Sequence, residues 1–377
     1  MPTTRAARAA ARAAARLLTD VLPADVLSHV LYYLPLAHDI ALAGLTCHAL
    51  CDAAKLAFKA RPFSGKVVTL AGHSDWIRCV VAAADGRVIT GSDDRTVAVW
   101  RDGACEHAVE HQHEVYVMAV GVLPLGGFVS IDDDGVAKVW TAGMAFVRTF
   151  RVNCVVYGYA TVMLNGVPHV VGHQETADGD GREIRLYDIN GTLTHTFEGH
   201  ASYGGWLNAV VATNDGRHLI TCASYNDRNV NIWSVATKTL VSKCAHINVV
   251  LALAVLPDGQ RFLSGGHDNT VRVWLIDGDV DESLLNHSLL NSFKLHDSRV
   301  TALAALPDNQ HALSSSEDCT VKLFNVNDGA TLRTFRNHTA YGGRYASSLA
   351  LMPDGLRFVS GGTDNTARIV EHGLAPL

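Results

Sequence analysis

Residues 264–274 read Ser264-Gly265-Gly266-His267-Asp268-Asn269-Thr270-Val271-Arg272-Val273-Trp274. This stretch joins a tight polar turn around the aspartate to a short strand of mostly β-branched residues that ends on tryptophan. The tryptophan, or a large apolar substitute, returns every 40 to 50 residues, at Trp100, Trp140, Tyr187, Trp233, Trp274, Phe324 and Val370. The chain therefore contains seven copies of one repeat, and units of this length are typical of propellers and solenoids.

Three further positions recur with the large residue. An aspartate stands six residues before it in every unit except the third, at Asp94, Asp134, Asp227, Asp268, Asp318 and Asp364. Each unit opens with a histidine, replaced by Asn153 in the third, at His73, His113, His200, His246, His296 and His338. A hydroxyl residue precedes the aspartate, at Thr90, Ser130, Thr221, Ser264, Ser314 and Ser360.

We interpret these positions as a buried polar relay. An indole N–H donates to the hydroxyl, the hydroxyl bonds the histidine, and the aspartate orients the histidine, so that burial leaves no hydrogen bond unmade. Catalysis is the competing interpretation, but one set in every repeat is unlike a single hydrolytic triad. The pattern predicts a structural role, with no enzyme activity, cofactor or metal. We interpret Asp178 and Asp180, in an exposed loop expected over residues 174–182, as part of a solvated turn rather than as Ca²⁺ ligands.

With these positions in place, residues 66–377 resemble the WD-repeat β-propeller family, most clearly in Gly72-His73 with Trp100 and in residues 264–274. The resemblance implies an all-β propeller of seven four-stranded blades, with residues 66–70 as the outer strand of the last blade. Two departures stand out. The aspartate that usually follows the tryptophan is mostly missing, as at Arg101, and the third unit lacks most of its relay, so we expect the third blade to be the least rigid.

In this family, three positions per unit project from the narrow end of the propeller. We call them the top face: Trp76, Arg78, Asp93, Tyr116, Met118, Asp133, Trp206, Asn208, Asn226, Val249, Leu251, His267, Arg299, Thr301, Glu317, Tyr345, Ser347 and Thr363. Two tryptophans without a relay role, Trp76 and Trp206, fall there, as binding anchors do. We therefore predict partner binding by Trp76, Arg78, Tyr116, Trp206, Asn208, Arg299 and Tyr345. The alternative is that both indole rings only cap the channel.

The arginines of the top face disfavour one class of ligand. Arg78 and Arg299 are opposed by Asp93, Asp133 and Glu317, whereas phosphate recognition needs guanidinium groups that are not neutralised. Phosphopeptide binding is therefore not the favoured interpretation.

Ahead of the repeats, apolar residues fall at helical spacing between Pro23, which suits the first turn of a helix, and Pro35, which ends it. Residues 20–58 resemble an F-box, through Leu22-Pro23, Asp25-Val26-Leu27, Val30-Leu31, Tyr33-Leu34-Pro35, Asp39-Ile40, Leu45, Thr46-Cys47-His48 and Leu50. The resemblance implies docking of a Skp-family adaptor on Leu22, Pro23, Val26, Leu27, Val30, Leu31, Leu34 and Pro35. The alternative is a helical cap packed on the propeller. His48 and Leu50 depart from the usual F-box residues.

Composition sets the remaining expectations. The 31 basic and 37 acidic residues give a net charge of −6, which disfavours nucleic acid as the main partner. No apolar stretch approaches the roughly 18 residues of a membrane span, and we detect no signal peptide. The eight cysteines form no CxxC pair, so we expect reduced thiols and a cytoplasmic or nuclear protein. An Ala/Arg-rich start could be an organelle transit peptide, but a solvated tail is favoured.

The expected organisation is an N-terminal tail (1–19), an F-box (20–60), a linker (61–65) and the propeller (66–377). The two resemblances together imply that the protein is a substrate-recognition subunit of a Skp-cullin-F-box ubiquitin ligase. The F-box would bind the adaptor and cullin, and the top face would bind a target protein. The alternative is a WD-repeat interaction scaffold without a link to ubiquitin.

Overall fold

The computed structural model describes residues 67–109, 113–152, 160–164, 166–175, 181–201, 207–223, 228–276, 289–336, 338 and 345–374. These residues form seven antiparallel sheets of four strands each. A short 3₁₀ turn, Pro124–Gly126, lies between two strands. The seven repeats of the sequence correspond to seven blades, and the all-β propeller that the WD-repeat resemblance implies is confirmed. The tail, the F-box and the linker lie outside the described residues.

Six blades follow the chain in order. The first contains β2 (Ile77–Ala82), β3 (Val88–Ser92), β4 (Val97–Arg101) and β5 (Ala104–Val109). The second contains β6 (Val117–Val122), β7 (Phe128–Asp132), β8 (Val136–Trp140) and β9 (Phe146–Arg151). The third contains β10 (Ala160–Leu164), β11 (Val167–Glu175), β12 (Gly181–Asp188) and β13 (Leu193–Ala201). The fourth contains β14 (Leu207–Ala212), β15 (His218–Ala223), β16 (Asn229–Ser234) and β17 (Leu240–Ala245).

The fifth blade contains β18 (Val250–Val255), β19 (Arg261–Gly266), β20 (Thr270–Leu275) and β21 (Leu289–Lys294). The sixth contains β22 (Val300–Ala305), β23 (His311–Ser316), β24 (Val321–Asn325) and β25 (Thr331–Phe335). The seventh is discontinuous in sequence, because β1 (Val67–Ala71) pairs with β28 (Thr366–Glu371), beside β27 (Arg357–Gly362) and β26 (Ala346–Leu351). The first strand of the repeats thus supplies the outer strand of the last blade, as predicted.

The blades pack face to face through apolar side chains. The second strand of a blade is the most deeply buried, as in β3, where every residue is buried, whereas the fourth strand is largely exposed, as in β9. Between the first two blades, Ile89 and Val99 of one sheet share a core with Val117, Phe128 and Trp140 of the next. Gly91 allows this close approach, since a Cβ at that position would lie 2.6 Å from the Val117 side chain.

Hydrogen bonds also link the seventh blade to the first. The Ser347 hydroxyl donates to the carbonyl of Ile77 at 2.5 Å, and the Asn365 amide donates to the carbonyl of Ser74 at 3.0 Å. These contacts join residues about 270 and 290 positions apart in the chain. The ends of the repeat array therefore meet through specific polar contacts as well as through strand pairing.

By its contacts the chain divides into two compact units. One contains Val68–Leu351 and Val359–Ile369; the other contains Met1–Val67, Met352–Phe358 and Val370–Leu377. Within the described part of the second unit, the Asp354 carboxylate accepts the N–H of Leu356 at 2.9 Å. The N–H of His372 donates to the carbonyl of Leu356 at 3.0 Å. A turn and the C-terminal strand end are thereby fixed to each other.

An arginine that the sequence reasoning missed links neighbouring blades at their hairpin turns. Arg87 is 3% exposed, and its guanidinium donates to the carbonyls of Gly126 and Ala142 in the second blade, at 2.7 and 2.6 Å. Its third contact is with the Asp85 carboxylate at 2.7 Å. The Asp-Gly-Arg turn therefore positions a cation that bonds backbone oxygens of the next blade.

The third blade differs in one respect from the expectation. Strand pairing between β11 and β12 continues to Glu175 and Arg182, so both ends of the loop expected over residues 174–182 belong to strands. The long antiparallel ladder satisfies the backbone groups of these residues. In the described part of the chain, no helix is long and apolar enough to cross a bilayer.

Candidate functional site

The first blade contains a complete relay. The Trp100 indole donates to the Thr90 hydroxyl at 2.9 Å, Thr90 contacts Nε2 of His73 at 2.7 Å, and Nδ1 of His73 contacts Asp94 at 2.7 Å. Because an ionised carboxylate only accepts hydrogen bonds, Nδ1 carries the imidazole proton. Burial opposes ionisation of Asp94, but hydrogen bonds from His73 and Thr96 hold the pKa of this carboxyl well below its usual range.

The sixth and seventh blades keep the histidine contacts without an indole. His296 lies 2.8 Å from both Ser314 and Asp318, and His338 lies 2.9 Å from both Ser360 and Asp364. The position of the tryptophan is occupied by Phe324 in the sixth blade and Val370 in the seventh. Burial opposes ionisation of both aspartates, but the histidine hydrogen bonds hold the pKa of Asp318 and of Asp364 low.

In the second blade, the prediction of Asp134 as the relay aspartate is wrong. Nδ1 of His113 contacts Asp132 at 2.8 Å, while Asp134 is exposed. Asp132 also accepts the N–H of Val136 at 2.7 Å. Thr96 of the first blade has a hydroxyl that holds Asp94, whereas Val136 at the matching position has none, so the nearer aspartate takes over. His113 and the Trp140 indole both reach Ser130, at 2.8 and 2.9 Å.

In the fifth blade, the prediction that Asp268 orients His246 directly is also wrong. The Arg272 guanidinium lies between them: it contacts Nδ1 of His246 and pairs with Asp268 at 2.7 Å. The other side of the relay is intact, since Ser264 contacts His246 and accepts the Trp274 indole N–H, both at 2.7 Å. Burial lowers the pKa of His246 to about 3, and the adjacent arginine acts in the same direction.

The remaining relay residues are described only in part. In the fourth blade the Trp233 indole donates to Thr221 at 2.8 Å. The side chain of His200, and Asp227 as a whole, lie outside the described residues. In the third blade Tyr187 takes the place of the tryptophan and is buried in the core next to Val139.

A repeated backbone hydrogen bond brings the top-face positions together in pairs. The N–H of the residue before the usual relay aspartate donates to the carbonyl of the residue three or, in the seventh blade, seven positions after the histidine. The pairs are Asp93 with Trp76, Asp133 with Tyr116, His267 with Val249, Glu317 with Arg299, and Thr363 with Tyr345, at 2.9 to 3.0 Å. Five blades therefore present their candidate residues at equivalent places.

The first blade contributes an aromatic ring and a neutralised cation. Trp76 is 44% exposed, and the Arg78 guanidinium lies 5.5 Å from its ring centroid. Two hydrogen bonds of 2.7 Å join Arg78 to both carboxylate oxygens of Asp93. The hydrogen bond to Asp93 raises the pKa of the guanidinium above its ordinary value. Arg78 is thus held in a fixed bidentate pair beside an exposed indole.

Some of the other candidate residues are exposed, whereas others form hydrogen bonds with a neighbouring blade. Tyr116 is 46% exposed, and Arg299 pairs loosely with Glu317, at 3.3 Å. The Asn208 amide donates to the carbonyl of Val250 at 2.7 Å, which commits it to the interface with the fifth blade. Ser347 and Thr301 donate to neighbouring blades in the same way. This use of the top-face position five residues after the histidine in the sixth blade, and of its equivalents in the fourth and seventh blades, was not predicted from the sequence.

Electrostatic interactions connect the top face across blades. Burial raises the pKa of the half-buried Tyr345 hydroxyl, and Glu317, Arg78 and Arg299 all act on it. Burial also raises the pKa of the Asp133 carboxyl, and Asp134 adds to that rise. The second predicted anchor, Trp206, lies outside the described residues. Among the described side chains, no three His, Cys, Asp or Glu residues are grouped as metal ligands would be.

Comparison with known proteins agrees with this geometry. The family model "WD domain, G-beta repeat" matches residues 64–101, 191–234, 238–274, 287–325 and 329–371, which together exceed half of the sequence. The chain belongs to the WD40 family. The unmatched residues 102–190 include the second blade and the first three strands of the third, where the relay is rearranged or incomplete. WD40 propellers are typically non-catalytic scaffolds for protein interactions.

Curated relatives of the WD40 chain include the guanine nucleotide-binding protein subunit beta-5b of Danio rerio, 29% identical over 56% of this chain and 53% of its own length. The meiotic fizzy-related protein 1 of Schizosaccharomyces pombe is 24% identical over 55% of this chain and 49% of its own length. Striatin-4 of Mus musculus is 26% identical over 59% of this chain and 30% of its own length. The chain spans about half the length of the first two.

Proposed function

We propose that this WD40 chain is a protein-interaction scaffold that binds its partner on the top face of the propeller. The observation that carries the proposal is the pair of large aromatic side chains, Trp76 and Tyr116, exposed at equivalent ends of adjacent blades. Exposed aromatic residues next to charged groups are typical of binding hot spots. The relay residues of the same blades are buried and bonded to each other, so they supply rigidity rather than contacts to a partner.

Affinity purification of the tagged full chain followed by mass spectrometry tests this proposal. We expect proteins captured by the wild type to be lost with Trp76→Ala and with Tyr116→Ala. Phe146→Ala is the matched control, because Phe146 is 55% exposed but lies on the outer strand β9. Retention of the same partners by all three variants, or their loss with Phe146→Ala alone, contradicts binding on the top face.

At a finer level, we propose that the scaffold is the substrate-recognition subunit of a Skp-cullin-F-box ubiquitin ligase in the cytoplasm or nucleus. The support is the F-box-like sequence of residues 20–58, placed directly before the propeller. In this arrangement the Leu22–Pro35 segment binds a Skp-family adaptor, and the top face holds a target protein near the ubiquitin donor. The chain contributes proximity and no bond chemistry.

Co-purification with the adaptor and a cullin tests the finer proposal. Wild-type chain should capture both, and the double variant Leu27→Asp with Leu31→Asp should lose them, because the apolar stripe would carry two charges. Ser28→Asp, between the stripe positions, is the control and should retain the adaptor. Failure of the wild type to capture the adaptor, or capture by the double variant, contradicts the ligase role and leaves the scaffold proposal standing.

A further inference from the structure

Asp133 on the top face has an oxygen that the described residues leave without a partner. Its Oδ1 is enclosed and accepts no hydrogen bond from any described group, although its backbone N–H donates to the Tyr116 carbonyl at 3.0 Å. A carboxylate oxygen that is shielded from water and lacks a donor costs free energy. Because Asp133 as a whole is partly exposed, a positive group of a bound partner next to its carboxylate would offset that cost by charge attraction.

The charges around Asp133 determine whether a positive or a negative group of the partner is favoured there. The nearest cation on the top face is Arg78, and both of its hydrogen-bonding edges toward Asp93 are occupied at 2.7 Å. Asp75, Glu114 and Asp134 are exposed acids on the loops and turns of the same two blades. The surface next to Asp133 is therefore negative, and it complements a positive side chain.

Two exposed aromatic residues belong to the top face of the same two blades. Tyr116 belongs to the same blade and is held to Asp133 through the backbone, and Trp76 is at the equivalent place on the first blade. Both residues are nearly half exposed. A lysine ammonium or an arginine guanidinium is attracted to the face of such rings, most strongly to indole. An acid and aromatic rings together are suited to a cation, whereas neither group favours an anion.

On the basis of the proposed function, we infer that this part of the top face binds a lysine or arginine side chain from a segment of the partner protein. The carboxylate of Asp133 pairs with the cation, and Trp76 and Tyr116 contact its alkyl stem or its charged group. Arg78, fixed by Asp93, supports the indole ring rather than binding the ligand.

The direction of the Asp133 pKa shift agrees with this geometry. Burial raises the pKa of Asp133, which means that folding destabilises its ionised form. Asp133→Asn is therefore expected to keep or raise the melting temperature while it removes ligand pairing. Opposite effects of one substitution on stability and on binding are common at binding sites and do not arise from a merely structural residue.

A peptide library tests the inference with the purified full chain. The library consists of 12-residue peptides in which one central position is Arg, Lys, Gln or Glu and the other positions are randomised. We expect the wild type to select Arg or Lys over Gln by about ten-fold, a value typical of one charge-assisted contact of about 1.4 kcal/mol. The preference should weaken as salt is raised from 50 to 500 mM, because exposed charges are screened.

Three variants separate local pairing from a general effect of charge. Asp133→Asn should abolish the preference for Arg or Lys at the central position. Trp76→Ala should lower the affinity for all selected peptides. Asp134→Asn removes the same charge one residue away and should keep most of the preference. Melting temperatures of all variants are measured alongside.

The outcomes distinguish the inference from the proposed function. Selection of acidic or purely apolar peptides, or an unchanged preference in Asp133→Asn, overturns the inference; if Trp76→Ala still loses the protein partners, the scaffold proposal stands. Absence of any Arg or Lys selection also overturns the inference. If partners survive both Trp76→Ala and Tyr116→Ala, the proposed function itself is wrong.

Discussion

Asp132 is the hydrogen-bond partner of His113, at 2.8 Å, in the blade where the repeat spacing places a different aspartate. The side chain of Asp132 is 3% exposed and accepts a second hydrogen bond from a backbone N–H. The relay is thus defined by which carboxylate the turn can hold, and the position in the repeat is secondary. Matched substitutions on this one turn test that conclusion.

Asp132→Ala is expected to destabilise the protein by about 2 kcal/mol, since it leaves the buried Nδ1–H of His113 and the N–H of Val136 unpaired. Asp134→Ala, two residues further on, is expected to change stability by less than about 0.5 kcal/mol because Asp134 is exposed. Urea denaturation of both variants measures the difference. Equal losses of unfolding free energy in the two variants would show that Asp134 contributes to the relay.

The hydroxyl at the centre of the relay should matter more where an indole donates to it. Ser130→Ala removes the partner of both His113 and Trp140, whereas Ser314→Ala removes only the partner of His296, since Phe324 has no N–H. Both serines are fully buried. We expect Ser130→Ala to cost about 1 to 2 kcal/mol more than Ser314→Ala. Similar unfolding free energies for the two variants would show that the indole contact contributes little.

The fifth blade should be sensitive to mild acid. His246 has its pKa lowered to about 3 in the folded chain, whereas an unfolded histidine titrates near 6.5. Below about pH 6.5 the unfolded state therefore binds a proton that the folded state does not, and stability falls as the pH falls. The linkage gives a loss of about 2 kcal/mol between pH 7 and pH 5 from this group alone.

Arg272→Lys isolates that contribution. The sixth blade has Lys322 at the matching position, where its ammonium donates to the carbonyl of Leu295 at 2.6 Å and His296 contacts its aspartate directly. We expect the variant to let Asp268 reach His246, to raise the histidine pKa and to flatten the stability profile. The unfolding free energies of the wild type and the variant are measured at pH 7 and pH 5. The contributions of the other histidines are the same in both proteins and cancel in the difference. Parallel profiles would contradict the role of Arg272.

The buried arginine between the first two blades should be a strong contributor to stability. Arg87→Met removes donors to the carbonyls of Gly126 and Ala142 and is expected to cost about 2 to 4 kcal/mol. Arg217→Met is the control at the equivalent turn of the fourth blade, where the side chain is 80% exposed and lies 3.6 Å from Asp215. Its effect on the melting temperature should be negligible. A small effect of Arg87→Met would mean that water replaces its bonds.

Asp93 should control the charge preference of the top face. Asp93→Ala frees a guanidinium that is now neutralised, so we expect selection to shift from basic toward acidic peptides in the library described above. The side chain of Arg78 is 37% exposed, and the lost pair should therefore cost only about 1 kcal/mol of stability. A preference for basic peptides that is unchanged in this variant would show that Arg78 has no influence on the ligand.

The sequence by itself determined the seven repeats and, in the five blades where both residues are described, the contact between the histidine and the hydroxyl of the relay, because one pattern is repeated and buried polar groups must be paired. The WD-repeat resemblance also implied that β1 completes the last blade, and the pairing of β1 with β28 confirms this. Local spacing also identified the aspartate that contacts the histidine in the first, sixth and seventh blades.

Only the tertiary structure decided which partner each polar group takes when several are within reach. Asp132 replaces Asp134, Arg272 separates His246 from Asp268, and Asn208 turns to the next blade, because the geometry of a turn and the donors of a neighbouring sheet are set by packing. The unpaired oxygen of Asp133 is of the same kind: sequence places an acid on the top face, but burial without a donor is a property of the assembled blades.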